Sequence, residues 1–351
     1  MIYLDNNATT PPGFDLKLLL EDYYSKWHNP SSAYAGEIRN EIENFRNDLA
    51  DFFTVEPHQV VFTSGATEGN NQVIRSFTGL HMVSAIEHDS VFNILPASQV
   101  RIPVTTTGLD FAALKQAISL KCSLASFMLV NNESGHILPI EEIYNYCQAS
   151  NIPLHVDATQ ALGKTAIPPY FDYLTISGHK VHALKGIGIL ICKAPVKPLL
   201  IGGHQESGLR AGTENTLGIL SLKKVFDRGF FLPDHESHYD QLWKFAETQF
   251  KQQLPTAILL QMGRLPFHKA TFSFCLPGVT SEEVVTHLMQ HNIAVSSGSA
   301  CTNGYTTHSR VILALTGQYE LAQGVVRCSF SRFTTTDDIA ELVTTLAKRY
   351  R

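Results

Sequence analysis

Charge is scarce in this sequence: Asp, Glu, Lys and Arg make up only 17% of it, and the net charge is -5. With no basic surplus to neutralise a polyanion, nucleic acid is not expected as a direct ligand. Cysteine is sparse as well. The six cysteines form no Cys-x-x-Cys pair, which argues against a zinc ribbon or a dithiol redox motif. Their scattered spacing argues against a secreted disulfide framework. No apolar run reaches the roughly 18 residues of a membrane span. Met1-Ile2-Tyr3-Leu4-Asp5 has neither the basic stretch nor the long apolar run of an export signal, so a cytoplasmic location and no membrane partner are expected. Internal repeats and low-complexity tracts are missing too. What is present is 351 residues with 44% hydrophobic content, an ordered chain long enough for a substantial core and for two domains.

From about residue 60 to residue 200 short apolar strands alternate with amphipathic helical segments, the pattern of an α/β domain with a mostly parallel sheet. After Asn215 a long helical stretch is interrupted near Pro233, and a smaller unit follows. In that unit Thr271-Phe272-Ser273-Phe274 and Val325-Val326-Arg327-Cys328-Ser329-Phe330 read as strands. Ser281 and Thr335 open helices with capping signals.

Three stretches carry chemistry. Leu174-Thr175-Ile176-Ser177-Gly178-His179-Lys180 is an apolar strand that delivers a lysine to a polar turn. A lysine so placed suits an enzyme whose ε-amine must condense with the aldehyde of pyridoxal phosphate, although a lone lysine after a strand is usually a solvated charge. Pro153-Leu154-His155-Val156-Asp157 is a second buried strand, ending in a carboxylate that could keep a pyridine nitrogen protonated or simply shape a turn. Val60-Val61-Phe62-Thr63-Ser64-Gly65-Ala66-Thr67-Glu68 runs through small residues into a helix. Its N–H groups and hydroxyl suit a phosphate, or Thr67 caps the helix with no ligand.

Together with Tyr3-Leu4-Asp5-Asn6-Asn7-Ala8-Thr9-Thr10-Pro11, Asn29-Pro30-Ser31-Ser32, Glu87-His88, Asn131-Asn132-Glu133, Gly208-Leu209-Arg210-Ala211-Gly212-Thr213-Glu214-Asn215 and Ser296-Ser297-Gly298-Ser299-Ala300-Cys301, these motifs run nearly end to end. In that order they resemble the cysteine desulfurases of the NifS/IscS type, in the class V aminotransferase family. The resemblance implies an α/β protein of the pyridoxal-phosphate fold type I, with a large cofactor-binding domain (residues 14–232) and a smaller one (residues 1–13 with 233–351) that takes in the N-terminal strand. It implies pyridoxal 5'-phosphate as cofactor, Lys180 as its covalent anchor, Asp157 on the ring nitrogen, and His88 stacked on the ring. Gln160 and Asn132 would lie near the phenolic oxygen or the substrate. Ala66, Thr67, Ser177 and His179 would hold the phosphate, with Thr213 reaching it across a homodimer interface. Arg327 would take the substrate carboxylate, for which its planar fork of donors is suited.

Cys301 sits in a small, polar, loop-like stretch, where a thiolate could swing to cofactor-bound L-cysteine, take its sulfur as a persulfide and leave L-alanine. Such a carrier would serve a sulfur-acceptor protein, an iron–sulfur scaffold or a tRNA-thiolation carrier. The other cysteines read as small buried hydrophobes or carry no signal. Several positions depart from the family pattern: Tyr34 at a usual histidine, Ala183-Leu184 at a usual Gly-Pro, His204 at a usual glycine, Ser207 at a usual basic residue, and no Glu-Pro-Ser after Cys301. Selenocysteine lyase, another class V reaction, or a catalytically reduced scaffold partner therefore stand as alternatives. His287 and His291, four apart, have metal-ligand spacing, but no third ligand accompanies them and a solvated face is expected.

Overall fold

The structure is a computed structural model that describes residues 1–233, 236–261, 265–298 and 308–351. Its larger sheet has seven strands, ordered from edge to edge Val60–Thr63, Gly188–Cys192, Tyr173–Ser177, Leu154–Asp157, Leu124–Met128, His81–Ser84 and Gln99–Ile102. Gly188–Cys192 is antiparallel to both neighbours, and the remaining adjacent pairs are parallel, so the other six strands point the same way. Apart from the edge strand Gln99–Ile102 these strands are short, rich in apolar residues and buried along their whole length, because helices cover both faces. One face packs on the helix Gly36–Phe53 through Ile38, Ile42, Phe45 and Leu49. The other meets the helix Ala66–Ser76 through Val73 and Ile74.

The smaller unit is a four-stranded antiparallel sheet, ordered Ile258–Leu259, Thr271–Cys275, Val325–Ser329 and Ser296–Ser297. Its core joins Phe272, Phe274 and Phe330 to Leu242 and Phe250 of the helix Glu236–Gln253 and to Leu342 and Leu346 of the helix Thr336–Tyr350. Thr335 and Asp338 cap the latter reciprocally, as the sequence signal predicts. The N-terminal strand Ile2–Tyr3 pairs parallel with Ile293–Ala294, which places the chain's start in this unit. Val311, Ile312 and Leu315 of the helix Arg310–Thr316 pack instead into the larger sheet's cluster.

The break near Pro233 lies between the helices Thr216–Asp227 and Glu236–Gln253. His287 is not solvated as the sequence suggests. It is buried, with Nε2 3.3 Å from the Thr345 carbonyl, because its helix Ser281–Gln290 turns that face onto the terminal helix. Among the described residues no group of three His, Cys, Asp or Glu side chains could hold a metal ion, and no helix is long and apolar enough to cross a membrane.

Candidate active site

The carboxyl ends of the parallel strands open onto a cavity of about 470 Å³, the position at which open α/β sheets bind ligands. The strand Tyr173–Ser177 runs into a single tight turn, Gly178–Lys180, which sets Ser177, His179 and Lys180 on the cavity wall. Lys180 Nζ donates to the carbonyl oxygens of Asn7 and Ala8, each at 2.6 Å. The N-terminal segment thus lies across the lysine, and Asn7 and Ala8 line the cavity with it.

Asp157 ends the neighbouring strand, in register with Thr175. Its Oδ1 accepts from the Thr159 N–H at 3.0 Å, so it does shape a turn, while Oδ2 accepts from Asn70 Nδ2 at 3.0 Å. The second Asn70 hydrogen goes to Ser90 Oγ at 2.9 Å, and Ser90 Oγ lies 2.8 Å from His88 Nδ1. Because the Ser90 N–H also donates to that nitrogen at 3.1 Å, Nδ1 is the acceptor and the neutral ring carries its proton on Nε2. Burial lowers the His88 pKa, which keeps the ring neutral. A relay of amide and hydroxyl therefore ties the orientation of Asp157 to the tautomer of His88. Glu87, next in the chain, is fully buried, accepts from Ser84 and Met128, and has its pKa pushed up to about 8 by desolvation.

The turn at Ser64 and Gly65 feeds the helix Ala66–Ser76 with Gly65 as N-cap, at φ +146° and with no side chain to satisfy the first N–H groups. A Cβ on Gly188 would stand 2.6 Å from Gly65 Cα, so a glycine in the antiparallel strand is what lets this turn come close. Ala66 and Thr67 then line the cavity together with Ser177 and His179, and Thr67 is not the cap. His179 holds Thr9 Oγ1 at 3.1 Å, and burial, with Lys180 and Lys185 nearby, pulls its pKa down to about 4. Three buried atoms of lining residues, Thr159 Oγ1, Asn132 Oδ1 and Arg327 Nε, have no partner. An uncapped helix start beside a histidine and lysines, with orphaned polar atoms on residues of the same cavity, fits a phosphate-bearing polar ligand.

Arg327, buried in the strand Val325–Ser329, also lines the cavity. It pairs with Asp5 Oδ1 at 2.7 Å through Nη2 and donates to the Asn132 carbonyl at 3.1 Å through Nη1, while its Nε has no partner. Gln160 reaches the cavity from the loop after Asp157. Thr213 is exposed and does not line the cavity of its own chain. Cys301 lies outside the described residues. Gly298 and Ser309, on either side of its stretch, both meet Glu133: a Cβ on Gly298 would be 3.2 Å from Glu133 Oε2, and Ser309 Oγ donates to the same oxygen. Glu133 directly follows Asn132, and burial raises its pKa to about 7.

Of the departures from the family pattern, His204 occupies no left-handed conformation, so a glycine is not required there. Glu206 and Ser207 do, at φ 47° and 56°, and the buried Glu206 stabilises that bend by accepting from Arg46 and from the Phe62 N–H at 2.7 Å.

Asn7, Asn70, Ser90 and Asp5 escape a reading of the sequence for chemistry, because each works through another residue. Asn70 alone leaves a trace, one helical turn beyond Thr67 and so on the same helix face. The site also rests on neutral histidines. His155, held between Ser126 Oγ at 2.7 Å and Thr175 Oγ1 at 2.8 Å, and His268, 2.6 Å from the Lys164 carbonyl, both have pKa values lowered to about 4 by burial. The unfolded chain binds these protons near pH 6.5 and the folded one does not, so stability is intact above that pH and is lost as pH falls from about 6.5 toward 4. At pH 5 the loss should be about 2 kcal/mol per histidine. Urea unfolding at pH 7 and pH 5 checks this, and in His155→Asn the difference between the two should shrink.

The model of the family described as aminotransferase class-V matches residues 2–342. A cysteine desulfurase of Nostoc sp. strain PCC 7120 is 33% identical, over 100% of this chain and 94% of that protein. A NifS-like protein from Rickettsia africae ESF-5 superposes with a TM-score of 0.88 at 29% identity, over 99% of each chain. A structure of SspA in complex with cysteine gives a TM-score of 0.78 at 26% identity, over 95% of this chain and 100% of that one.

Proposed function

This chain belongs to the class-V aminotransferase family, enzymes of the pyridoxal-phosphate fold type I, and within it to the cysteine desulfurases, and on that footing we propose that it converts L-cysteine to L-alanine and carries the sulfur off as a persulfide on Cys301. The observation that carries the reading is the convergence of Lys180, Asp157, the uncapped turn at Gly65 and Arg327 on one cavity.

When bound, pyridoxal 5'-phosphate supplies an aldehyde that takes up the substrate amine and a pyridinium ring that draws electrons from the bonds around the α-carbon. Lys180 would anchor it covalently, and Asp157, steadied by Asn70, would hold a proton on the ring nitrogen. Ala66, Thr67, Ser177 and His179 would receive the phosphate, joined by Thr213 of a second copy in a homodimer. His88 would lie against the ring, with Asn132 and Gln160 donating at its edge. Arg327, preset by Asp5, would clamp the substrate carboxylate and so aim the substrate sulfur at the incoming thiolate. Cys301 attacks the substrate sulfur. The Cβ–S bond breaks, an S–S bond forms on the enzyme, and the electron pair left on the substrate takes up a proton to give alanine. The persulfide would then pass to a sulfur-acceptor protein, an iron–sulfur scaffold or a tRNA-thiolation carrier.

The purified protein, given pyridoxal phosphate, L-cysteine and a thiol reductant, should form alanine and sulfide in equal amounts while its visible band shifts. Amino-group transfer to a keto acid without alanine formation from cysteine would reject the assignment.

A further inference from the structure

Behind Asn7 and Gln160 of the cavity wall lies a lysine that the scheme above leaves unused. Lys164 is four residues beyond Gln160, and its ammonium is buried. Nζ donates to Asn7 Oδ1 at 2.8 Å and to Gln160 Oε1 at 2.7 Å. Its charged neighbours are Lys180 and Arg327, both cations, and His268 closes the far side through the Lys164 carbonyl. A small cleft beside Lys164 and Lys180 adds His182, Tyr239 and Arg332. The Asp5 carboxylate is engaged by Arg327 at 2.7 Å, and among the described residues no carboxylate pairs with Lys164. Burial, with the two cations, pulls the Lys164 pKa down to about 7. A buried ammonium in that company is a poor stabiliser, and an apolar side chain would serve packing better.

Two consequences follow from its hydrogen bonds. An amide whose oxygen is held by an ammonium cannot flip, so Gln160 presents Nε2, with one hydrogen on the Asn7 carbonyl at 2.9 Å and the other left for the cavity. Asn7 also joins the two lysines, taking Lys164 on its side-chain oxygen and Lys180 on its main-chain oxygen.

We propose that Lys164 is a positioning residue of the pyridoxal-phosphate site, fixing Gln160 as a donor toward the cofactor's phenolic oxygen and, in its protonated form, favouring the less protonated form of the Lys180–cofactor linkage. This deepens the cofactor reading above and rests on it. A donor on an ionised oxygen and a cation close to a protonated nitrogen act in the same direction, each lowering the pH at which the linkage gives up its proton. A neighbouring cation is also a known way of making a lysine amine reactive near neutral pH.

The test is a spectroscopic titration of the full chain loaded with pyridoxal 5'-phosphate, read as the midpoint of the visible band between about pH 6 and about pH 10, a window that brackets the expected change. In Lys164→Met the midpoint should rise by about one pH unit while the cofactor stays bound. Gln160→Leu should raise it too, and adding Lys164→Met in that background should add less than it does alone. A Lys164→Met protein that keeps its cofactor and titrates at the native midpoint overturns the proposal. Should that variant not fold, an unchanged midpoint in Gln160→Leu overturns it equally. A native chain that takes up no cofactor overturns the reading beneath, and the proposal with it.

Discussion

Lys180→Ala should lose covalent attachment of pyridoxal phosphate and three to four orders of magnitude in turnover, about the upper range for removing one group that acts directly in the chemistry. Loss of fold does not explain this expectation. The lysine closes the turn after a strand whose burial is supplied by Leu174 and Ile176, and its hydrogen bonds include those to two carbonyl oxygens of the N-terminal segment. Truncating it frees those carbonyls at the edge of an open cavity, where water can replace the ammonium. The cofactor-free variant should therefore unfold within a few degrees of the native cofactor-free chain. Dialysis separates the outcomes: the native band survives it, and the variant's should wash away. A variant that keeps both its band and its turnover would show that another amine does the work, and Lys164 would be the first to examine.

The second large effect concerns Cys301. Cys301→Ala should bind cofactor and L-cysteine normally, with the same spectral response, yet transfer sulfur at least a hundredfold more slowly, as expected when the nucleophile of a two-stage reaction is removed. The five described cysteines are poor substitutes. All are buried, and burial raises the thiol pKa of Cys147 and Cys192 to about 12 and of Cys122, Cys275 and Cys328 as well, so that little thiolate forms near neutral pH. Mass spectrometry after a brief exposure to L-cysteine should find one added sulfur on the Cys301 peptide in the native chain and none in the variant. Sulfide release at the native rate by Cys301→Ala would remove the persulfide from the scheme.

How much of this can be read from the chain alone depends on how local each signal is. The strands that carry Asp157 and Lys180, the turn at Gly65 and the capped helix after Thr335 are written in runs of five to ten residues, and the fold places them as those runs predict. The polar network around them is not local. Asn70 meets Asp157 from 87 positions away, Lys164 meets Asn7 from 157, and Arg327 meets Asp5 from 322. A buried asparagine or lysine has no periodicity to betray it, because its meaning is set by partners that only tertiary structure supplies. The burial of His287 was illegible for a related reason: the sequence gives the spacing of two histidines on a helix, but not which face of that helix the terminal helix will cover.

The N-terminal segment also bears on the order of events during synthesis. Ile2–Tyr3 pairs with Ile293–Ala294, Asn6 Nδ2 donates to the Ser329 carbonyl at 2.8 Å, and Asn7 carries both lysines. Asn6 thus waits for a partner 323 positions later before it finds its place. The larger sheet can close on itself early, from contacts within residues 60–192, but the cavity acquires Arg327 only when the strand Val325–Ser329 has emerged. Capture of a cofactor would then follow the synthesis of that strand, and a nascent chain stalled before residue 325 would be folded in part yet unable to retain it.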